Sequence, residues 1–162
     1  MPDEPPQIVE GESVLDRISR TGVMRVGYHP DNLPFSFFNI NDQLVGYDVD
    51  MALLLGRDLG CRVEFYPITF RNMAEMLNEH RVDVVMAGVQ LTPNRLRQMT
   101  FSEAYLDTTV AFLVLDHRMS EFATRDAMHQ IDNLTIGIPH VMGAIELDLK
   151  RYMPNAKPVT IE

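Results

Sequence analysis

Residues 82–105 read VDVVMAGVQLTPNRLRQMTFSEAY. Val82 to Gly88 form a near-continuous apolar run closed by glycine. Runs of this kind suit a strand covered on both faces, as the strands of parallel sheets are. After a short turn, Thr92-Pro93 marks a sharp helix start, with proline at the first helical position, where its missing N–H is no loss. A buried strand feeding directly into a helix is the repeating unit of an α/β fold.

The same alternation extends upstream. Ser13 suits an N-cap, with Asp16 three residues on and Leu15 and Ile18 on one face of a short helix that Gly22 ends. Val23 to Gly27 is a compact strand. Phe35 to Ile40 and Gln43 to Tyr47 flank the turn signal Asn41-Asp42 as a hairpin. Asp48 is placed to cap a helix through VDMALLLGRDL that stops at Gly60. Arg62 to Pro67 is the next strand. Thr69 is placed to cap the helix FRNMAEMLNEH, where Phe70, Met73 and Leu77 fall at helical spacing.

Downstream, Thr108 to Leu115 is a longer β-rich stretch. A short helix is predicted near 124–130, a strand at LTIGIP, a helix over about 142–152 and a last strand at KPVTI. Strands alternating with helices predict a largely parallel sheet. A fresh β/α set starts near residue 117, so two lobes are expected, the second unfinished. The expected boundaries are a linker at 1–12, lobe 1 at 13–107, a hinge strand at 108–116 and a partial lobe 2 at 117–162.

Composition narrows the function. The 162 residues carry 23 acids against 14 bases, a formal net charge of −9. So acidic a chain is a poor match for a phosphate backbone, and no nucleic-acid partner is expected. Hydrophobic residues make up 46%, enough for a core. Cys61 is alone, which excludes an internal disulfide and a Cys-rich zinc module. The eleven methionines are scattered, as gap-filling core residues are. The start, MPDEPPQIVEGE, has neither a basic n-region nor an apolar h-region, so it does not read as a signal peptide.

No nucleophile elbow, phosphate loop, dinucleotide fingerprint or HExxH motif is present. His29, His80, His117, His129 and His140 show no metal-ligand spacing, so neither a metal nor a cofactor is expected. The segment after Gly88 is more informative. Ligands of open α/β sheets bind at the carboxyl ends of strands, near helix N-termini. Gly88 permits close backbone approach to a ligand. Arg95 falls in the first helical turn, where a cation opposes the helix dipole unless an anion is near. Its guanidinium matches a carboxylate fork. A surface ion pair with Asp or Glu is the alternative reading.

Two segments, VMRVGY…PDNLPFSFFN…LVGYDVDMALLLGRDLG…VEFYPI and VDVVMAGVQLTPNRLRQMTFSEAYLDTT, resemble the bacterial extracytoplasmic solute-binding proteins for polar amino acids, of periplasmic-binding-protein type 2 fold. The resemblance runs from about Ser13 to Gly143. Its most specific parts are GYDVDMA and the G-x-x-[LI]-T-x-x-R…FS-x-x-Y pattern. It implies two α/β lobes joined by hinge strands, closing on a ligand. It also implies that Arg95 holds the ligand's α-carboxylate, helped by the Gly88 N–H and by Gln90. Phe70 would lie over the ligand's side chain, and Gly143 would offer an N–H from the second lobe.

The chain departs from that family at several positions. Gln90 stands where Thr or Ser is usual, His29 where an acid is frequent, and Asn32 where an aromatic is frequent. Val141-Met142 replaces a Gly-Thr or Gly-Ser pair, and the family's ammonium-binding Asp would fall beyond residue 162. His29 and Asn32 are candidate ligand contacts, with ordinary turn chemistry before Pro34 as the alternative. Asp31-Asn32-Leu33-Pro34 followed by FSFFN also resembles binding modules fused to cation-coupled dicarboxylate or amino-acid symporters.

The resemblance therefore implies a solute-binding domain outside the cytoplasmic membrane, at the periplasmic face and tethered if a membrane segment adjoins it. It would take a small carboxylate-bearing solute for a membrane transporter, fused or separate. Two rivals are an enzyme on the same scaffold, similar to those that dehydrate cyclic carboxylic acids, and the input domain of a receptor kinase. For the enzyme, His29 is the visible candidate for the acid or base.

Overall fold

The computed structural model describes residues 9–107, 109, 111–139, 149–151 and 153–161. The chain divides into two compact units, Met1–Phe101 and Ser102–Glu162. The first unit opens with α1, Val14–Thr21. The Ser13 hydroxyl accepts the Asp16 N–H at 3.1 Å, while the Asp16 carboxylate accepts from the Ser13 hydroxyl at 2.7 Å and its backbone N–H at 3.4 Å. This is the expected capping box. Gly22 ends the helix at φ +68°, a left-handed cap that glycine adopts without penalty. Of the two apolar residues assigned to the inner face, Ile18 is buried but Leu15 is 56% exposed. Arg17 goes inward instead and pairs with Asp83.

Strands β1 (Val23–Tyr28), β5 (Arg62–Pro67) and β6 (Val84–Val85) form a parallel sheet in the order β5-β1-β6. Both of its faces are covered. On one face Ile18, Met24, Val26 and Ala52 pack with Val63, Phe65 and Val84. On the other, Ile68, Met73, Met76 and Val82 pack with Tyr66, Phe70 and Val85. Val84 and Val85 thus face opposite clusters, as successive strand residues must. Helix α2, Tyr47–Asp58, lies close on β5. A Cβ at Gly56 would stand 2.4 Å from a Val63 methyl, so only glycine fits there.

The expected hairpin is present as β3 (Ser36–Phe38) and β4 (Leu44–Val45), with a further strand β2 (Asp31–Asn32) that the sequence does not announce. The three form an antiparallel meander. Two other elements are shorter than their patterns predict. The run from Val82 pairs only at Val84 and Val85. Helix α3 spans Met73–Asn78, because Thr69 and Asn72 close a turn before it. There the Thr69 N–H reaches the Asn72 side-chain oxygen at 2.8 Å, and the Asn72 N–H reaches the Thr69 hydroxyl at 3.2 Å.

In the second unit, of the hinge strand expected at 108–116, residues 109 and 111–115 carry no strand and Asp116 opens a 3-10 helix, while 108 and 110 lie outside the described residues. Leu113 and Leu115 are exposed there, so their β-forming side chains have no pleated surface to pack on. A 3-10 helix, Asp116–Phe122, follows. Helix α5 (Arg125–His129) is capped by the Thr124 hydroxyl, which accepts the Ala127 N–H at 3.2 Å. Strands β7 (Thr135–Pro139) and β8 (Lys157–Ile161) pair in parallel. Of the helix predicted near 142–152, residues 149–151 are helical; 142–148 and 152 lie outside the described residues. Leu134, Ile138, Leu149 and Met153 form the core of this unit. No helix is long and apolar enough to cross a membrane, among the described residues.

Candidate functional site

Because β1, β5 and β6 run parallel, the segments that follow them leave the sheet at one edge. Each supplies one side chain to a common cluster. His29 follows β1, Phe70 follows β5, and Arg95 follows β6 in α4, Pro93–Leu96. The His29 ring stacks on the Phe70 ring with centroids 4.6 Å apart and planes 14° apart. The Arg95 guanidinium carbon lies 5.5 Å from the centre of the same ring, in cation–π range.

The α4 start is built as its sequence predicts. Pro93 opens the helix, and the Thr92 hydroxyl accepts the Arg95 N–H at 3.4 Å. The Arg95 side chain is half-buried, and burial pushes its guanidinium below the ordinary arginine value. It donates to the Gln90 carbonyl at 2.9 Å. Among the described residues it pairs with no carboxylate, so the surface ion pair weighed as an alternative is absent. A partly desolvated cation without a counter-charge favours an anion from outside.

His29 is held from two sides. Its carbonyl accepts the hydroxyl of fully buried Ser36 at 2.7 Å, and its Nδ1 accepts the Asp31 N–H at 3.3 Å. With Nδ1 an acceptor, the neutral ring carries its proton on Nε2.

Three expected contacts have other employment. The Gly88 N–H, expected to meet a ligand, donates to the Asp48 carboxylate. Asp48 is not a helix cap: Gly46 holds that position without a side-chain bond, and Asp48 is fully buried in the first turn of α2. Asn32 donates its side-chain amide to the Ala87 carbonyl at 2.7 Å, which ties β2 to the loop after β6. Gln90 is exposed, and its carbonyl rather than its side chain meets Arg95. Gly143 lies outside the described residues, as do Val141 and Met142.

Residues 87–88 are therefore fixed by Asn32 and Asp48, and Phe35 covers the turn. Gly88 has φ +60°, and a Cβ there would stand 2.4 Å from the Phe35 ring. Asp48 and Phe35 position the loop that carries Arg95, and the sequence reading missed both. For Asp48 a signal existed: it is an acid next to Val49, on the apolar face of α2. Among the described residues no group of His, Cys, Asp and Glu could hold a metal ion. The cluster offers a fixed cation, an imidazole N–H and an aromatic face.

The profile of the bacterial extracellular solute-binding proteins, family 3, matches residues 24–147. The cyclohexadienyl dehydratase of Pseudomonas aeruginosa is 34% identical over 119 residues, which is 74% of this chain and 44% of that protein. A putative ABC transporter arginine-binding protein 2 of Escherichia coli is 35% identical over 80 residues, 49% of this chain and 33% of that protein. Among solved structures, the ancestral amino acid-binding protein AncCDT-1, a precursor of cyclohexadienyl dehydratase, superimposes with a TM-score of 0.77 at 32% identity. The match covers 92% of this chain and 65% of that one. The chain spans less than half the length of either of the two relatives named first.

Proposed function

This chain belongs to the bacterial extracellular solute-binding proteins, family 3, and has their periplasmic-binding-protein type 2 fold; from that premise we propose that it captures a small carboxylate-bearing solute, an amino acid or a close relative, outside the cytoplasmic membrane for a membrane transporter. The observation that carries this reading is Arg95. Its guanidinium is half-buried at the carboxyl edge of a parallel sheet, leans on Phe70 and meets no carboxylate among the described residues. A ligand carboxylate supplies the missing charge through a bidentate fork. The ring of Phe70 holds Arg95 and His29 beside each other for the rest of the molecule to meet.

Titration calorimetry with a panel of amino acids, dicarboxylates and keto acids tests this. Arg95→Ala loses about 2–5 kcal/mol of binding free energy while circular dichroism is unchanged. Arg95→Lys also binds poorly, because a point charge cannot reproduce the fork. Affinity unaltered by either substitution removes Arg95 from the site. Thermal shift provides an independent readout, since ligand at 100 times its Kd adds about 2.7 kcal/mol of stability.

The similarity to the Pseudomonas dehydratase favours a second reading, an enzyme on this scaffold. Among the described residues the cluster contains one imidazole, His29, the side-chain type most often used as general acid or base. Incubation with a cyclohexadienyl carboxylate, followed by the ultraviolet absorbance of an aromatic product, separates the readings. Turnover that His29→Gln abolishes supports the enzyme; binding without turnover supports the carrier.

A further inference from the structure

We infer that the solute carries two acid groups, so that the site takes a small dicarboxylate or an acidic amino acid, with Arg95 holding one carboxylate and His29 donating to the other. This rests on the reading of Arg95 as the carboxylate anchor and adds the second pole. Both groups lie against one ring, at 4.6 Å and 5.5 Å from its centre. Their separation therefore cannot exceed the sum of those distances, about 10 Å. That limit keeps the two groups within reach of the ends of one small molecule, so the diacid is a short one.

The hydrogen bonding gives the polarity of the second pole. His29 Nδ1 is occupied as an acceptor by the Asp31 N–H, which leaves Nε2–H as the donor. Among the described residues Nε2 has no partner. A ligand atom there must accept, so an ammonium or a guanidinium would face donor against donor. The nearby acids do not offset this. Asp48 is buried and committed to Gly88, and Asp31 is exposed. Among the described residues, a cationic side chain, such as arginine's, finds no uncommitted buried carboxylate beside Phe70. A ligand amide could accept from Nε2–H, but only an anion also gains from the neighbouring guanidinium field.

Calorimetry on the 162-residue chain with two acid–amide pairs decides it: L-glutamate against L-glutamine, and glutarate against its monoamide. In each pair shape is kept and one charge removed. The acid is expected to bind at least tenfold tighter than the amide, and L-arginine more weakly than either amino acid. His29→Gln keeps the backbone bond to Ser36, so the fold is retained, as circular dichroism checks; the acid–amide ratio falls to within about threefold. Arg95→Ala weakens acid and amide alike. Equal binding of acid and amide, or a ratio that survives His29→Gln, overturns the second pole. If that binding is nonetheless lost in Arg95→Ala, the carboxylate anchor stands without it. If no member of either pair binds while L-arginine or another amino acid of the panel does, the second pole falls and the carboxylate anchor stands; if none of them binds, both readings fall.

Discussion

The two units bury their sheets differently. In the first, β5-β1-β6 has a hydrophobic cluster on each face and a buried ion pair beside its edge. In the second, among the described residues, β7 and β8 share one cluster, while Val159 and Ile161 of β8 are 41% and 47% exposed. A parallel sheet is stable where both faces are covered, because its strands are apolar on both sides. The first unit meets that requirement and holds the cluster of His29, Phe70 and Arg95 at its rim. A side chain can be placed to within a fraction of an ångström only by a frame that does not yield.

The largest expected effect lies in the buried ion pair. Arg17 and Asp83 have side chains 4% and 3% exposed, and Asp83 also accepts the Arg25 N–H at 2.7 Å. Asp83→Ala leaves a buried guanidinium without its partner, at a cost of about 3–5 kcal/mol. Urea unfolding followed by circular dichroism reads this directly. A change under 1 kcal/mol means that the pair is wet and does not tie α1 to the sheet.

Gly88→Ala comes next. The left-handed backbone and the Phe35 ring both oppose a Cβ, so about 1–3 kcal/mol of stability is lost and the loop bearing Arg95 shifts. Ligand affinity falls together with the melting temperature. Loss of stability with unchanged affinity detaches the loop from the site.

Glu64→Gln tests the sheet edge through pH. The Tyr66 hydroxyl at 2.7 Å, helped by Arg62 and Arg25, holds the Glu64 carboxyl below its ordinary value. The contribution is therefore complete above the unfolded carboxylate pKa, near 4.3, and is lost as pH falls through the lower folded value. The variant should be less stable than the parent at pH 7, and the difference should close toward pH 3. A difference that is constant with pH assigns the effect to packing.

The smallest effect is expected in the second unit. Arg118 and Glu121 pair at 2.8 Å on the exposed surface of the 3-10 helix. Glu121→Ala should leave the melting temperature within error at physiological salt, since exposed pairs contribute little. A clear drop would show that this unit depends on its surface charges.

Much of the first unit is legible along the chain because its signals are short-range. Ser13 with Asp16, and Thr92 with Arg95 after Pro93, each place a donor and an acceptor three residues apart. Caps of this type are read directly from spacing. Signals that depend on distant partners are harder to read. The side chains of Thr108–Leu115 suit a strand, but residues 109 and 111–115 carry none. Asp48 stands where a cap would stand, yet its acceptor role serves Gly88, 40 residues away.

The sequence alone determined the alternation of the main strands and helices of the first unit, the parallel sheet, and the position of Arg95 in the first turn of a helix that follows a buried strand. These depend on hydrophobic period and on bonds between near neighbours, which the linear chain displays. Only the tertiary structure decided that His29 and Arg95 share the Phe70 ring, that Asn32 serves Ala87 at a separation of 55 residues, and that Arg17 is buried against Asp83. Those pairings arise because three parallel strands release their loops at the same edge, and because a helix turns one face to the sheet. Which side chains then meet is set by the packing of the whole unit, not by their distance along the chain.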